Sequence, residues 1–502
     1  MNPHEGEIKR KNQTSSTLAV IVGNRDIFSG RLAKEGGREV IKTLKGLGFD
    51  VVALSEESGR GTVRTREGSL GGAHDVHGVY RDTVQTREDS KKCAELFKKR
   101  ADDIAGVLIT LPNFGDERSI ADALRLSKLD VPVLVHAFPD EIEKMGREGR
   151  RDSFCGKFSL CNNLRQYGIP FTNTRRHVES PSSKDFKEDV RFFGKVCRVV
   201  KNLRSARLGI IGVRPGPFST VRYSEKILEG EGISVETVGL LEILDRAKKM
   251  DESAPLVRER LTKIKKHFSL KGIPRETIDK TARFSAAMSG WVGENDLNAI
   301  AVQCWPTIEK FYGIVPCAAM SLMSEEFLPS ACEADVTGAL SMYTLQLASG
   351  KPAALVDLNN NYGDDPDKFV AFHCSNFPRS FFGREPKMVK HFALHENGAL
   401  DGRIATGPVT LLRFSTDDTR GKIRAYVAEG EFTKDKIETF GGYSVVKIEG
   451  LQSFLEYIAD EGFEHHVAVV HDHVADVIEE SVRKYLGWEV YVHGSPRSCE
   501  SI

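Results

Sequence analysis

Four fragments in the second half of the chain carry residue types that could form one divided metal site. They are Ala331-Cys332-Glu333-Ala334-Asp335, Ala354-Leu355-Val356-Asp357, the Cys304-Trp305-Pro306 turn and Gly462-Phe463-Glu464-His465-His466. Two of the carboxylates close short apolar runs, and a histidine pair follows much later. Oxygen ligands suit hard divalent cations, and adding imidazole extends the set to manganese, iron or zinc. Two carboxylates and one histidine fit a Lewis-acid enzyme better than a structural zinc knot.

Each fragment also has a plainer reading. Glu333 precedes an expected helix, where an acid is favoured by the helix dipole and Asp335 is the expected cap. Asp357 is expected to end a buried strand, at the place where α/β proteins gather ligand-binding acids, and the Asn359-Asn360-Asn361 run after it reads as a loop. His465, His466, His471 and His473 are four of the chain's 14 histidines. On one strand His466 and His471 would face opposite sides, so a single ligand, His466, is the economical assignment. His373 in Phe372-His373-Cys374 is the second candidate histidine, for metal or substrate.

Other post-strand loops offer polar contacts. Gly212-Val-Arg-Pro-Gly-Pro-Phe218 lacks the donors a phosphate loop needs, because two prolines remove them, and it fits neither GxGxxG nor the Walker spacing. Arg214 in it can still reach a polar ligand. Arg25 and Asn113 follow two early strands, while Gln303 and Trp305 flank a later one. All five, with His373, are candidate substrate contacts. Cys155 lies near Arg151, but no histidine partner for a catalytic thiol can be identified.

The elements that must position these residues fall into three styles. Leu18–Gly23, Phe49–Leu54, Ala105–Leu111 and Val131–His136 are apolar runs separated by helical stretches, the pattern of a parallel sheet covered on both faces. A second series starts at Arg207–Gly212 and continues through Ser234–Gly239 to Ala299–Gln303, with a charged helical stretch at Leu256–Ala287 and a helix at Thr337–Leu347. From Val409 onward, Val409–Phe414, Lys422–Val427 and Tyr443–Ile448 are separated by turns, which predicts antiparallel pairing. Boundaries are expected near residues 172 and 353, giving domains 1–172, 173–353 and 354–502. Glu333 then falls in the second, and Asp357 and His466 in the third.

Bulk properties narrow the function classes. Lysine plus arginine balances aspartate plus glutamate at 71 each, so no net field points to nucleic acid or an anionic membrane. No apolar stretch approaches the roughly 20 residues of a membrane span. The polar stretch Met1–Thr17 lacks the apolar core of a secretory signal. Nine dispersed cysteines without a CxxC pair favour reduced thiols in a cytoplasm.

The set resembles the L-fucose isomerase and L-arabinose isomerase superfamily, closest to its fucose isomerase-like branch. In that family an A-x-E-x-D loop before a helix supplies one metal ligand, which Glu333 matches. An aspartate after that helix supplies the second, matched by Asp357. A histidine with another seven residues on supplies the third, matched by His466 and His473. The resemblance implies two Rossmann-like parallel-sheet domains followed by a C-terminal α+β domain with a small antiparallel β-barrel. It also implies Mn²⁺, with Co²⁺ or Mg²⁺ as substitutes, and aldose–ketose isomerisation of a monosaccharide through a cis-ene-diol. A homo-oligomer, trimer or hexamer, would place the active site at a subunit interface. An epimerase, an aldolase-type enzyme and a non-catalytic sugar-binding protein are the competing classes. The loop holding Arg60, Arg64 and Arg66 has no family counterpart and favours an anionic group on the sugar.

Overall fold

The computed structural model describes residues 17–55, 82–146 and 148–495. The Arg60, Arg64 and Arg66 loop, and the leader up to residue 16, lie outside the described residues. Two compact units are present, Ser15–Lys201 and Asn202–Ile502.

The first unit is built on five parallel strands: β1 (Thr17–Val22), β2 (Asp50–Val52), β3 (Ile104–Leu111), β4 (Val133–Ala137) and β5 (Thr172–Asn173), in the order β2-β1-β3-β4-β5. Side chains alternate across the sheet. Leu18, Val20 and Val22 pack with Val190, Phe193 and Cys197 on one face, whereas Ala19 and Ile21 pack with Ile109, Ile120 and Leu160 on the other. Both faces are therefore covered, which explains why the strands read as continuous apolar runs. Gly106 lets the helix Lys184–Leu203 approach the sheet, since a Cβ there would stand 2.4 Å from Cys197 Sγ. The strand order reverses between β1 and β3, and the loops carrying Arg25 and Asn113 follow those two strands.

The second unit begins with a four-stranded parallel sheet of β6 (Arg207–Ile211), β7 (Ser234–Val238), β8 (Ala299–Val302) and β9 (Ser330–Ala331), ordered β7-β6-β8-β9. The charged stretch expected as one helical block over Leu256–Ala287 is two helices, Pro255–His267 and Arg275–Glu294. Gly272 at φ +82° and Pro274 explain the break, because a left-handed turn and a residue without N–H cannot continue a helix.

Eight further strands and β18 complete the unit: β10 (Ala354–Asn361), β11 (Lys368–His373), β12 (Lys387–Lys390), β13 (Asn397–Arg403), β14 (Gly407–Asp417), β15 (Lys422–Phe432), β16 (Gly442–Lys447), β17 (His466–Val470) and β18 (Glu489–Val492). β16, β11, β10, β17, β14 and β15 pair antiparallel in that order. Contacts of Glu431 with Lys447 and Phe432 with Val446 close the ring into a six-stranded barrel. Closure removes free edges from these strands. The expected α/β class, with two parallel sheets and a terminal antiparallel barrel, is what the molecule has.

One local expectation is corrected. Asp357 does not end its strand, and Asn359–Asn361 is not a loop: β10 continues to Asn361, with Asn360 opposite Val370 and Asn361 opposite Phe369. A bulge between Leu358 and Asn360 shifts the register, and the asparagines are exposed, so polar side chains are tolerated on this tail.

Candidate active site

The barrel strands set two of the candidate ligands side by side. Val467 and Val469 belong to the core cluster that also holds Val356, Leu411 and Val446. The period of two then turns His466 to the opposite face of β17. In the antiparallel register His466 is directly opposite Asp357 of β10, the closest relation two strands offer. Glu333 reaches the same place from the turn after β9. Glu333 and Ala334 have φ of +61° and +58°, backbone that costs roughly 1–3 kcal/mol for residues other than glycine. The turn is held by the Glu333 N–H donating to Cys304 Sγ at 3.4 Å and the Ala334 N–H donating to the Val302 carbonyl at 3.0 Å.

His466 is buried. Its Nε2 lies 2.9 Å from Glu333 Oε2 and 3.4 Å from Asp357 Oδ1, yet is aligned for a hydrogen bond with neither. The other ring nitrogen, Nδ1, lies 2.9 Å from Asp335 Oδ2. Asp335 also caps the helix Val336–Ser349, accepting from the Gly338 N–H at 2.8 Å. Arg413 Nη1 and Nη2 donate to the two oxygens of Asp335 at 2.5 and 3.1 Å, and Nε donates to Glu464 at 3.2 Å. A buried carboxylate thus fixes the imidazole, and a buried guanidinium fixes the carboxylate.

These charges set protonation. Burial works against ionising Asp335, but the Arg413 charge and the His466 hydrogen bond hold its carboxyl well below the usual range. Burial likewise opposes charge on His466, but Asp335 and Glu333 raise it to about 9. Glu333 is lowered despite burial by its contact with His466 and the nearby His373.

The residues fit a divalent cation. Donor atoms of Glu333, His373 and His466 lie within 4.8 Å of one another, as do those of Asp357, His465 and His466. A buried Nε2 facing two carboxylate oxygens is an arrangement a cation would complete in place of the ring proton, and oxygen with imidazole donors suits manganese, iron or zinc.

A cavity of about 380 Å³ opens on this wall. That volume is in the range of small-molecule sites, about 300–1,000 Å³. Phe218, Trp305, Phe372 and Phe392 give it aromatic sides, with Glu333, Asp357 and His373 as polar points. Trp305 Nε1 donates to Glu333 Oε1 at 2.7 Å. Of the remaining candidates, Gln303 is near but engaged, accepting from the Val213 N–H at 2.9 Å and donating to Thr307 at 3.2 Å. Arg214 donates to the carbonyls of Pro215 and Gly216 in its own loop. Arg25 and Asn113 belong to the Ser15–Lys201 unit. There Arg25 pairs with Glu117 and covers the Phe114 ring, and Asn113 donates to Asn24 at 2.6 Å. Of the plain histidines, His471 packs against Phe381 and Phe432, while His473 Nε2 contacts the Gly430 carbonyl.

Three contributors escaped sequence reading. Phe218 lies across His465 and His466 at 5.6 Å from each ring, and nothing in its loop signals that. Asp335 carried only a capping signal. Arg413 had one usable sign, a charged residue inside an apolar strand.

Comparisons with known proteins agree with this architecture. Residues 19–204 match the model of the fucose/sulfoquinovose isomerase N-terminal domain, and residues 371–493 match that of the L-fucose isomerase C-terminal domain. Similar curated proteins include the sulfoquinovose isomerase of Alkalicoccus urumqiensis, 27% identical over 74% of this chain and 82% of that protein. That of Priestia megaterium is 28% identical over 72% and 80%. A third, from a Clostridium species, is 23% identical over 70% and 78%. The matches define an aldose–ketose isomerase. Within that class the chain belongs to the fucose isomerase-like family, whose two domain models together span more than half of it. Among the described residues no helix is long and apolar enough to cross a membrane.

Proposed function

We propose that the chain is a metal-dependent isomerase of a sulfonated hexose, converting sulfoquinovose to its ketose with Mn²⁺ as cofactor and Co²⁺ or Mg²⁺ as substitutes. The observation that carries the metal and the reaction is the meeting of Glu333 and Asp357, both on the cavity wall, with the buried Nε2 of His466. The substrate rests on the names of the relatives, which extend over about four-fifths of those proteins.

Aldose–ketose isomerisation moves one proton between C2 and C1 and another between O1 and O2. Glu333 and Asp357 share these transfers. One removes the carbon-bound proton to give a cis-ene-diol and returns it to the neighbouring carbon, while the other serves the oxygens. General acid–base help of this kind supplies roughly 10²–10⁴-fold. A divalent cation held by Glu333, Asp357 and His466 would supply Lewis-acid stabilisation of the developing negative charge, worth several kcal/mol. Asp335 and Arg413 keep His466 oriented with Nε2 toward the carboxylates. Trp305 holds the carboxylate of Glu333, and the aromatic sides exclude water and offer flat faces to the sugar.

A homo-oligomer, trimer or hexamer, in which a neighbouring subunit completes the site, belongs to the same reading. So does a cytoplasmic location, with which the eight free cysteines among the described residues are compatible.

The test is direct. Protein stripped with chelator should be inactive on sulfoquinovose and recover with Mn²⁺. In D₂O the ketose should carry deuterium on an unbroken carbon skeleton. A C2 epimer or a cleaved skeleton would replace isomerisation by epimerase or aldolase chemistry, and full turnover of chelated protein would remove the metal.

A further inference from the structure

The cavity lined by Glu333 also borders a second donor group of different chemistry. Cys304 follows β8, Cys332 follows β9, Cys317 opens the helix Cys317–Glu325, and Cys374 follows His373 at the end of β11. The four thiols form a chain of contacts: Cys304 with Cys332, Cys332 with Cys374, and Cys374 with Cys317. Cys374 Sγ lies 3.3 Å from His373 Nδ1. Donor atoms of Cys332, Cys374 and His373 all lie within 4.8 Å of one another. Four distant chain segments supply these residues, so no CxxC spacing announces them.

A buried thiol ordinarily behaves as a small apolar group, as Cys197 does in packing against the β1–β3 sheet. Two thiols and an imidazole with donor atoms all within 4.8 Å of one another are different: sulfur and imidazole donors select soft or borderline cations such as zinc and cadmium. Charge favours the same occupant. Two thiolates and a neutral imidazole balance a doubly positive ion, so the buried complex carries no net charge, which limits the desolvation cost. Access is also present, because Cys304, Cys317 and Cys374 line the cavity.

We propose that Cys332, Cys374 and His373 form a binding site for a soft divalent cation of the zinc or cadmium class, distinct from the carboxylate–imidazole group. Cys304 touches Cys332 and Cys317 touches Cys374, so each borders this three-residue group at one of its thiols. His373 also belongs to the donor group of Glu333 and His466, so the two sites share one ring and binding at either alters affinity at the other. The proposal rests on the thiols and not on the isomerase reading.

The experiment is a Cd²⁺ titration of the reduced, chelator-stripped full chain, followed by thiolate-to-cadmium charge-transfer absorption, which carboxylate and imidazole ligands do not give. The expected result is a band saturating at one ion per chain. It is retained in Glu333→Gln and in the exposed-thiol control Cys155→Ser, and lost in Cys332→Ser and Cys374→Ser. On the unmutated chain, Cd²⁺ should protect the cavity-lining Cys374 from alkylation, read by peptide mass spectrometry, so the result does not depend on the variants folding. Absence of the band, its loss in Cys155→Ser, or a band with Cys374 still alkylated would overturn the site.

Discussion

The polar loops after β1 and β3 and the polar wall of the barrel cavity are made of similar residues, but they differ in whether their atoms are satisfied. Asn24 and Asn113 use both ends of each amide: Asn113 donates to Asn24, Asn24 donates to Gln85, and Asn113 accepts from the Gly115 N–H. Next to the wall residues Glu333 and Asp357, the buried Nε2 of His466 has no aligned hydrogen-bond partner, and Glu333 sits in left-handed backbone. Satisfied networks rigidify a fold. An orphaned nitrogen held by a strained turn persists only where the surroundings over-determine it, and such strain clusters at functional sites. The difference separates a scaffold from a site more sharply than residue type does.

The largest expected effect breaks the wall itself. Glu333→Gln and Asp357→Asn keep shape and remove charge, and each should lower kcat by roughly 10²–10⁴-fold in a sugar isomerisation assay with saturating Mn²⁺. Full turnover in either variant would make the wall as structural as the asparagine network.

Next in size is a pH effect confined to the first unit. His136 is fully buried, with Nδ1 at 2.9 Å from the Thr110 hydroxyl and Nε2 at 2.9 Å from the Glu179 carbonyl, so its neutral form is held at both ends. Burial lowers it from 6.5 to about 3. The unfolded chain therefore takes up a proton that the folded chain refuses, and stability falls as pH drops from 6.5 toward 3. The loss is about 1.4 kcal/mol per pH unit from this group. Glu179 tilts the opposite way, since burial and Asp189 raise its carboxyl and favour the fold at lower pH. Comparison with His136→Gln isolates the histidine. Amide exchange of β3 and β4 should slow relative to the native chain as pH falls, after correction for intrinsic rates. Equal slopes in the two proteins would sink the assignment.

How much of this was legible in the sequence depends on range. β1 and β3 could be read because both faces of a parallel sheet are buried and their apolar runs are continuous. β14, β15 and β16 could be read as antiparallel because turns rather than helices separate them. Closure into a barrel came only from the family resemblance and not from the residues, because it depends on Glu431 and Phe432 meeting Lys447 and Val446 across an intervening segment. Glu333, Asp357 and His466 stood out as charged or imidazole side chains against apolar runs. Asp335 did not, because its capping role accounts for an aspartate in that position and hides its hold on His466. Phe218 left no sign at all, since an aromatic after a proline-rich turn has no periodicity to betray where its ring lies.

Asp335→Asn sharpens the comparison at smaller scale. Asparagine caps a helix about as well as aspartate, so the start of Val336–Ser349 should survive. The charge that holds His466 Nδ1 is lost, and Mn²⁺ affinity should weaken by about 10–100-fold, measured by titrating the metal-stripped protein. Unchanged affinity with a frayed helix would return Asp335 to a cap and nothing more.

Asn24→Ala asks the converse question of the satisfied network. It removes the donor to Gln85 and leaves the Asn113 amide with only the Ser29 carbonyl at 3.5 Å, a change worth about 1 kcal/mol. Because the network is closed on itself, that loss should appear as faster amide exchange in β1 and β3, with KM for the sugar unmoved. Water can replace a lost partner where the loop reaches solvent, which is why the effect should be the smallest of the four. A raised KM with unchanged exchange would mean that the amides after β1 and β3 reach the substrate, and the contrast between a closed scaffold and an open site would no longer divide the two regions.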